Sequence, residues 1–375
     1  MRELRQIEAV SLVAGAGIGG GVMALPYLAA EVGFWPAAAI MLLAFIVSVL
    51  LHIMVGELSM QTEYSSELLT IFSRHLFEGK KALRAAFYLL MALTLICNLA
   101  AYISGAGDIL ADLLGLPALI GQLLFFVLAA AVVLLGLKSV AINETLTLTI
   151  MLVIIGSLAV ATLLLPSHQA LASPSLGLSP LLAVYGMAMF SLSALFSVPQ
   201  AASGLRHDTK RLPAAIGLGL LVNLAVMLAV TYCTLVGSET VTEVAIIGWA
   251  AALGGPARLV GSLFIALAML TTFWSISLQL SDMSREFLGA GRFVAWLIAT
   301  LPSLVLAILP LTGFLDLMQL AGGATAVVVA VMAVPAYRNA TRGLDRLLLG
   351  QHGNSLLICV PVALMYLLMA IASFL

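Results

Sequence analysis

Charge is what this sequence has least of. Asp, Glu, Lys and Arg make up 9% of its 375 residues, against about 25% in a soluble domain, which excludes a water-solvated globule. Nucleic acid is excluded as a partner as well, because the formal net charge is -1 and no run of Lys or Arg is long enough to grip phosphates. Cysteine is scarce, and Cys97, Cys233 and Cys359 each lie in an apolar run without metal-ligand spacing, so they read as small buried hydrophobes. The amino terminus lacks the short apolar stretch and small-residue cleavage site of a signal peptide, so the first apolar segment is expected to stay in the protein. No HExxH, Cys/His ligand cluster or nucleotide-binding loop points to an enzyme or to a bound organic cofactor.

Apolar length is what the chain has instead, with 63% hydrophobic residues and a mean hydropathy of +1.18. A helix needs about twenty mainly apolar residues to cross the hydrocarbon of a bilayer. Eleven runs qualify: 7–30, 36–60, 82–110, 118–137, 143–165, 178–204, 212–236, 257–286, 292–310, 313–335 and 354–374. They predict an all-α polytopic membrane protein with 11 transmembrane helices. Two connections read as structured, 61–81 and 239–253, the second as a short helix in an outer loop. With the N-terminus in the cytoplasm, fifteen of the sixteen basic residues fall inside and only Arg258 falls outside. Basic residues resist translocation, so the predicted orientation puts the N-terminus in the cytoplasm and the C-terminus outside, in a plasma or bacterial inner membrane.

Two of these spans are written as broken helices. The first holds Gly15-Ala16-Gly17-Ile18-Gly19-Gly20-Gly21, five glycines in seven residues, followed by Pro26. Each interior Gly costs about 1 kcal/mol relative to Ala, so the helix is expected to open, and irregular backbone at membrane depth is tolerated only where it lines a cavity or is covered by protein. The alternative is a close packing face, since small residues let helices approach. The sixth span carries Phe190-Ser191-Leu192-Ser193-Ala194-Leu195-Phe196-Ser197-Val198-Pro199, where Ser hydroxyls and Pro favour either unwinding or a kink. Breaks in spans one and six are what an inverted repeat of five plus five helices places there. That divides the chain into a first five-helix repeat at 1–165, a second, inverted repeat at 178–335 and an accessory helix at 354–374.

The run Gly15–Gly33, GAGIGGGVMALPYLAAEVG, resembles the first-helix signature of the amino acid–polyamine–organocation superfamily. Within it, the amino acid/auxin permease group is similar, and most of all its aromatic and hydroxy amino acid permease branch. The segments 196–211 and 271–282 resemble the sixth helix with its basic exit loop and the eighth helix of that branch. The resemblance implies the inverted-repeat fold of bacterial leucine transporters, with helices 1 and 6 discontinuous and substrate bound between helices 1, 3, 6 and 8. Where bacterial aromatic permeases tend to show Phe-Gly-Phe-His, this chain has Leu192-Ser193-Ala194-Leu195, a departure that weakens the case for an aromatic substrate.

A discontinuous helix suits each end of a zwitterion. Free N–H groups where a helix restarts attract a carboxylate, which points to Gly19, Gly20 and Gly21. Carbonyls of Gly17 or Ile18 and of Phe190, Ser191 and Ser193 are candidates for the ammonium. No ionisable residue is expected at mid-membrane beside the breaks, so the predicted substrate is a neutral amino acid. Walls are expected from Asn98, Tyr102, Phe190, Phe196 and Phe273 or Trp274, the family geometry favouring Tyr102 and Trp274. Thr271, Thr272 and the carbonyl of Ala268 share one helix face. With the carbonyls of Gly15 and Ile18 they would form a five-oxygen shell suited to Na⁺ at the family's second sodium site, unless both hydroxyls simply bond back to their own helix. Proton-coupled relatives often carry a Lys on span five and this chain does not, so the coupling ion is Na⁺ or H⁺ with a lean to Na⁺. By the same resemblance Arg5 could pair with Asp282 or Glu286 as an inner gate, the alternative being solvated helix-end charges. The expected function is ion-coupled symport of a small neutral amino acid by alternating access, with the lipid bilayer as surroundings and no obligate protein partner. A sensor or a channel on the same fold is the alternative. An intramembrane protease is not, because Gly105–Asp108 and Pro117–Leu119 carry its motifs in the wrong order and spacing.

Overall fold

The computed structural model describes every residue except 1–3, 66, 78, 166–168, 170, 172–175, 310–321, 326, 345 and 373–375. Among the described residues the chain is helical, without a strand. The helices are α1 (Gln6–Gly17), α2 (Gly20–Val32), α3 (Phe34–Gln61), α4 (Leu68–His75), α5 (Lys81–Leu114), α6 (Ala118–Leu134) and α7 (Leu137–Leu163). They continue with α8 (Leu178–Ser191), α9 (Ser197–Gly204), α10 (Leu212–Gly237), α11 (Ala245–Ala252), α12 (Gly255–Leu288), α13 (Arg292–Ile308), α14 (Val334–Ala340) and α15 (Leu356–Ala372).

Five of them, α3, α5, α7, α10 and α12, are each long and apolar enough to cross a membrane, and the bent pair α1–α2 makes a sixth. The apolar helices α6, α8, α13 and α15 are shorter. The two long helices α5 and α12 end at Gly115 and Gly289, both with φ 64°, a left-handed turn that Gly adopts without the Cβ penalty of other residues. The predicted structured connections are present as α4 within 61–81 and α11 within 239–253. The start of the run 313–335 lies outside the described residues, and its end leads through a π-helical turn at Val329–Ala333 into α14.

Polarity is distributed inside out. Leu42, Leu43 and Ile46 of α3, Leu89 and Leu93 of α5 and Val153 and Val160 of α7 are exposed, while Ser48, His52, Glu57, Asn98, Glu144, Asn223 and Gln279 are buried. Such a surface is stable only in lipid, and the buried polar groups then have to find partners within the protein. Helix α1 stands at the centre, packed against α7, α9, α10 and α12, while α2 lies against α8 and α10 and α5 lies against α6, α12 and α13.

One ordered loop closes the end of the bundle where the basic residues gather. Arg74 pairs with Glu63 at 2.8 Å, and the Thr62 hydroxyl bonds His75 Nε2 at 3.0 Å. Glu67, which opens α4, is pushed up to about 8 by burial and then by the nearby carboxylates Asp282 and Glu286. A carboxyl raised in the folded state adds stability at acid pH and loses it as pH climbs towards the folded value. The thermal stability of the purified protein should therefore fall between the ordinary Glu range and about pH 8, and Glu67→Gln should flatten that slope in a pH series of melting curves.

Candidate functional site

The glycine run breaks its helix at Ile18 and Gly19. Helix α1 ends at Gly17, α2 restarts at Gly20, and the two are bent by 49°. Gly19 is extended in an unusual way, φ -131° and ψ -150°, so the first N–H groups of α2 point out of the helix instead of back into it. Tyr102 on α5 brings its hydroxyl up to the break, where a Cβ built on Gly19 would lie 3.2 Å from it. The glycines also admit close neighbours. A Cβ on Gly17 would lie 1.8 Å from Asn223 Nδ2, one on Gly19 2.7 Å from Thr272 Oγ1 and one on Gly21 2.1 Å from Ser191 Oγ. Broken helix and close packing face are thus one device, because the freed backbone is covered by polar side chains that only Gly lets in.

The second break falls at 192–196, between α8 and α9. Pro199 is not its cause. It sits in the first turn of α9, where a missing N–H costs no hydrogen bond. Two side chains hold the opened strand instead. Asn223 Nδ2 of α10 donates to the Ser191 carbonyl at 2.6 Å, and His52 Nε2 of α3 accepts from the Ala194 N–H at 2.8 Å. His52 Nδ1 lies 2.6 Å from the Ser48 carbonyl. A backbone N–H only donates and a carbonyl only accepts, so the ring is neutral with its proton on Nδ1.

Between the two breaks lies a cavity lined by Gly17, Gly19, Gly20, Gly21, Asn98, Tyr102, Phe190, Ser191, Ser193 and Phe196, together with Ala16, Ala194, Ser197, Thr272, Ser275, Ile276 and Thr325. Ten of the twelve expected substrate residues therefore share one space. Ile18 and Trp274 do not line it, although both are buried. On α12 the side chains that reach the cavity are Thr272, Ser275 and Ile276, while Phe273 points at Phe125 of α6 with ring centroids 5.9 Å apart. Asn98 Oδ1 and Ser197 Oγ are buried at this cavity without a hydrogen-bond partner among the described residues. Groups in that position gain most from a polar ligand. The four helix ends around it also complement a zwitterion, with the N-termini of α2 and α9 favouring a carboxylate and the C-termini of α1 and α8 an ammonium.

Four of the five candidate ion ligands, Gly15, Ala268, Thr271 and Thr272, come together beside it. Thr271 Oγ1 lies 2.9 Å from the Ala268 carbonyl and 3.3 Å from that of Gly15, and Thr272 Oγ1 lies 3.1 Å and 3.4 Å from the same two oxygens. Both hydroxyls thus bond back to their own helix and reach across to α1. The expected gate pairs are arranged differently. Glu286 pairs with Arg84 at 2.9 Å and Asp282 with Arg285 at 3.8 Å, while Arg5 gives its backbone N–H to Glu8, whose carboxylate meets Lys138 at 2.5 Å. Asp108, in the protease-like motif, accepts from Gln122 at 3.1 Å. The expectation of no ionisable group beside the breaks is wrong: Glu144 of α7 is fully buried against Gly15 and accepts from Ser275 Oγ at 2.6 Å.

This architecture has counterparts among known proteins. Residues 3–372 match the tryptophan/tyrosine permease family. The chain belongs to that family. It is 26% identical to the tyrosine-specific transport system 1 of Haemophilus influenzae over 396 residues, covering 98% of this chain and 96% of that one. It is 22% identical to glutamine transporter 2 of Aliivibrio fischeri over 328 residues, 83% of each. The crystal structure of a manganese transporter of Eremococcus coleocola, in complex with an aromatic bis-isothiourea compound, shares the fold with a TM-score of 0.65 at 17% identity, covering 98% of this chain and 85% of that chain. The permease is an integral membrane protein of amino acid transport and not an enzyme.

Sequence reasoning missed His52 and Asn223, each an isolated polar residue in an apolar helix, and Ser275 and Glu144, each one of several polar residues in its stretch of helix. For the first two that isolation was the available signal, since a polar side chain at membrane depth is expensive unless it has work to do. Two substitutions test how the breaks are held. His52→Phe leaves the Ala194 N–H unpaired and should cost about 1–3 kcal/mol, whereas His52→Gln, which keeps an acceptor, should cost less; thermal unfolding in detergent reads the difference. Gly17→Ala should destabilise by about 1–3 kcal/mol through overpacking against Asn223 and slow uptake in the same preparation.

Proposed function

We propose that this permease is a secondary active transporter that carries a neutral amino acid by alternating access, driven by a Na⁺ or H⁺ gradient. The observation that carries the reading is the cavity between the two broken helices, where unpartnered polar atoms and four helix ends face one space. The substrate carboxylate binds at the Gly20 and Gly21 N–H groups where α2 starts, in the same cavity that the Tyr102 hydroxyl borders. Its ammonium binds at the C-terminal ends of α1 and α8. Asn98, Ser193 and Ser197 contact polar parts of the ligand, and Phe190 and Phe196 close over its side chain. A zwitterion satisfies such a site without a charged side chain in the cavity wall, which supports a neutral amino acid over a cationic or anionic one. Both an aromatic substrate, as the family's description suggests, and a smaller polar one, as the serine-rich lining suggests, fall in this class.

In this reading the chain crosses the membrane eleven times, residues 1–165 and 178–335 form two inverted five-helix repeats of the leucine-transporter type, and 354–374 add an accessory helix. The N-terminus faces the cytoplasm and the C-terminus the outside. The helix interruptions serve as hinges, so that one bundle rocks against the other around a fixed site.

Purified protein in proteoliposomes should take up a radiolabelled neutral amino acid saturably, and faster under an inward Na⁺ or H⁺ gradient. Saturable binding without net uptake would make it a sensor, conductance without saturation a channel, and no response to any of the twenty amino acids would end the reading. Gly20→Leu should insert and fold yet lose binding by more than about tenfold, equal to 1.4 kcal/mol, because its side chain blocks the carboxylate position. Retained affinity in that variant would confine the glycines to packing.

A further inference from the structure

Glu144 stands out among the buried groups. It lies on α7 with no exposed surface, and Gly15 of α1 makes room for it: a Cβ there would lie 2.5 Å from Glu144 Oε2. One carboxyl oxygen, Oε1, accepts from the Ser275 hydroxyl at 2.6 Å, while Oε2 is buried with no hydrogen-bond partner among the described residues. Neighbouring elements supply no cation. Lys138, six residues earlier on the same helix and so about 9 Å away along its axis, is paired with Glu8 of α1. Asp282 and Arg285 of α12 lie two turns or more beyond Ser275 and pair with each other, and α6 and α10 carry no charged residue. A lone carboxylate in a dry interior is too costly to persist, so the site calls for one positive charge.

We propose that Glu144 is the coupling-charge site of the transporter, its carboxylate neutralised once per cycle by a monovalent cation, H⁺ or Na⁺, that enters with the amino acid and leaves with it. The position suits that role. Ser275 touches Glu144 on one side and lines the substrate cavity on the other, so the two sites share a residue. Gly15, Ala268, Thr271 and Thr272 add hard oxygens on the same side of α1 and α12, as a Na⁺ ion requires, and a proton needs only the carboxyl. Because Glu144 bridges α1, α7 and α12, its charge state acts on the hinge itself. The inference rests on the transport reading above and adds to it the residue that carries the driving force.

A zwitterion has no net charge, so its transport with one cation moves one positive charge, and a potential of 100 mV supports about a fiftyfold accumulation. Proteoliposomes holding the full chain should show this potential-driven accumulation in wild type under one of two arms, an H⁺ gradient without Na⁺ or a Na⁺ gradient at fixed pH. In Glu144→Gln, whatever its uptake rate, the accumulation ratio should fall to about one and respond to neither gradient nor potential. A binding readout accompanies it: in detergent, replacing K⁺ by Na⁺ at fixed pH, or lowering the pH in a Glu67→Gln background, should raise the melting temperature of protein that keeps Glu144 and leave that of Glu144→Gln unmoved. Wild-type levels of gradient-driven accumulation in Glu144→Gln would overturn the assignment. So would wild-type uptake that ignores both gradients, whereas an absence of saturable uptake in wild type would strike at the transport reading itself. Should Glu144→Gln fail to fold, Glu144→Asp decides: withdrawing the carboxylate by one methylene should shift the cation concentration for half-maximal accumulation by at least about threefold, and an unchanged value would overturn the proposal.

Discussion

Inside a bilayer no peptide group can turn to water, and the architecture of this permease follows from that constraint. Continuous helices satisfy it within themselves. Where α1–α2 and α8–α9 are interrupted, the released groups have to be held by something else, and the holders come from different helices: Thr271 and Thr272 on α12 for the Gly15 carbonyl, His52 on α3 for the Ala194 N–H and Asn223 on α10 for the Ser191 carbonyl. Those bonds tie the two broken elements to the surrounding scaffold. They also leave bonds that a ligand can exchange for its own at little cost, since one hydrogen bond replaces another.

Glycine and hydrogen bonding therefore work together here. Without side chains at 15, 17, 19 and 21, the polar ends of Glu144, Asn223, Thr272 and Ser191 come within contact of the α1–α2 backbone. Polar side chains that would be ruinous facing lipid are concentrated in this central column, and the lipid-facing surface is left to Leu, Ile and Val. Stability and ligand recognition draw on the same residues, so substitutions in the column are expected to affect both.

Formal charges lie mainly at the helix ends, where they are partly solvated and contribute little individually. The pairs Glu8–Lys138, Arg84–Glu286 and Arg285–Asp282 lie on α1, α5, α7 and α12, of which α1, α5 and α12 also line the cavity. Arg258 and Asp112 form a further pair at 3.2 Å. Glu144 is the exception, an acidic group drawn fully into the interior.

By itself the sequence determined that the chain lives in lipid, that it is helical, and where its first helix breaks. Those properties are local: apolar run length sets a membrane helix, and five glycines in seven residues defeat a continuous one whatever surrounds them. Most of the cavity wall was legible for the same reason, since residues flanking a break must border the space it opens. What only the tertiary structure decided is which side chains from other helices meet those residues. Trp274 gave way to Ser275 and Ile276 because the rotation of α12 is set by its packing against α5 and α13, and Arg5 lost its expected partners because Arg84 and Arg285 stand nearer to them. His52 and Asn223 are single polar letters in apolar text and Glu144 is one of a short polar group, all separated from the breaks by tens of residues. Their meaning depends on distances in space, and no spacing along a chain encodes those.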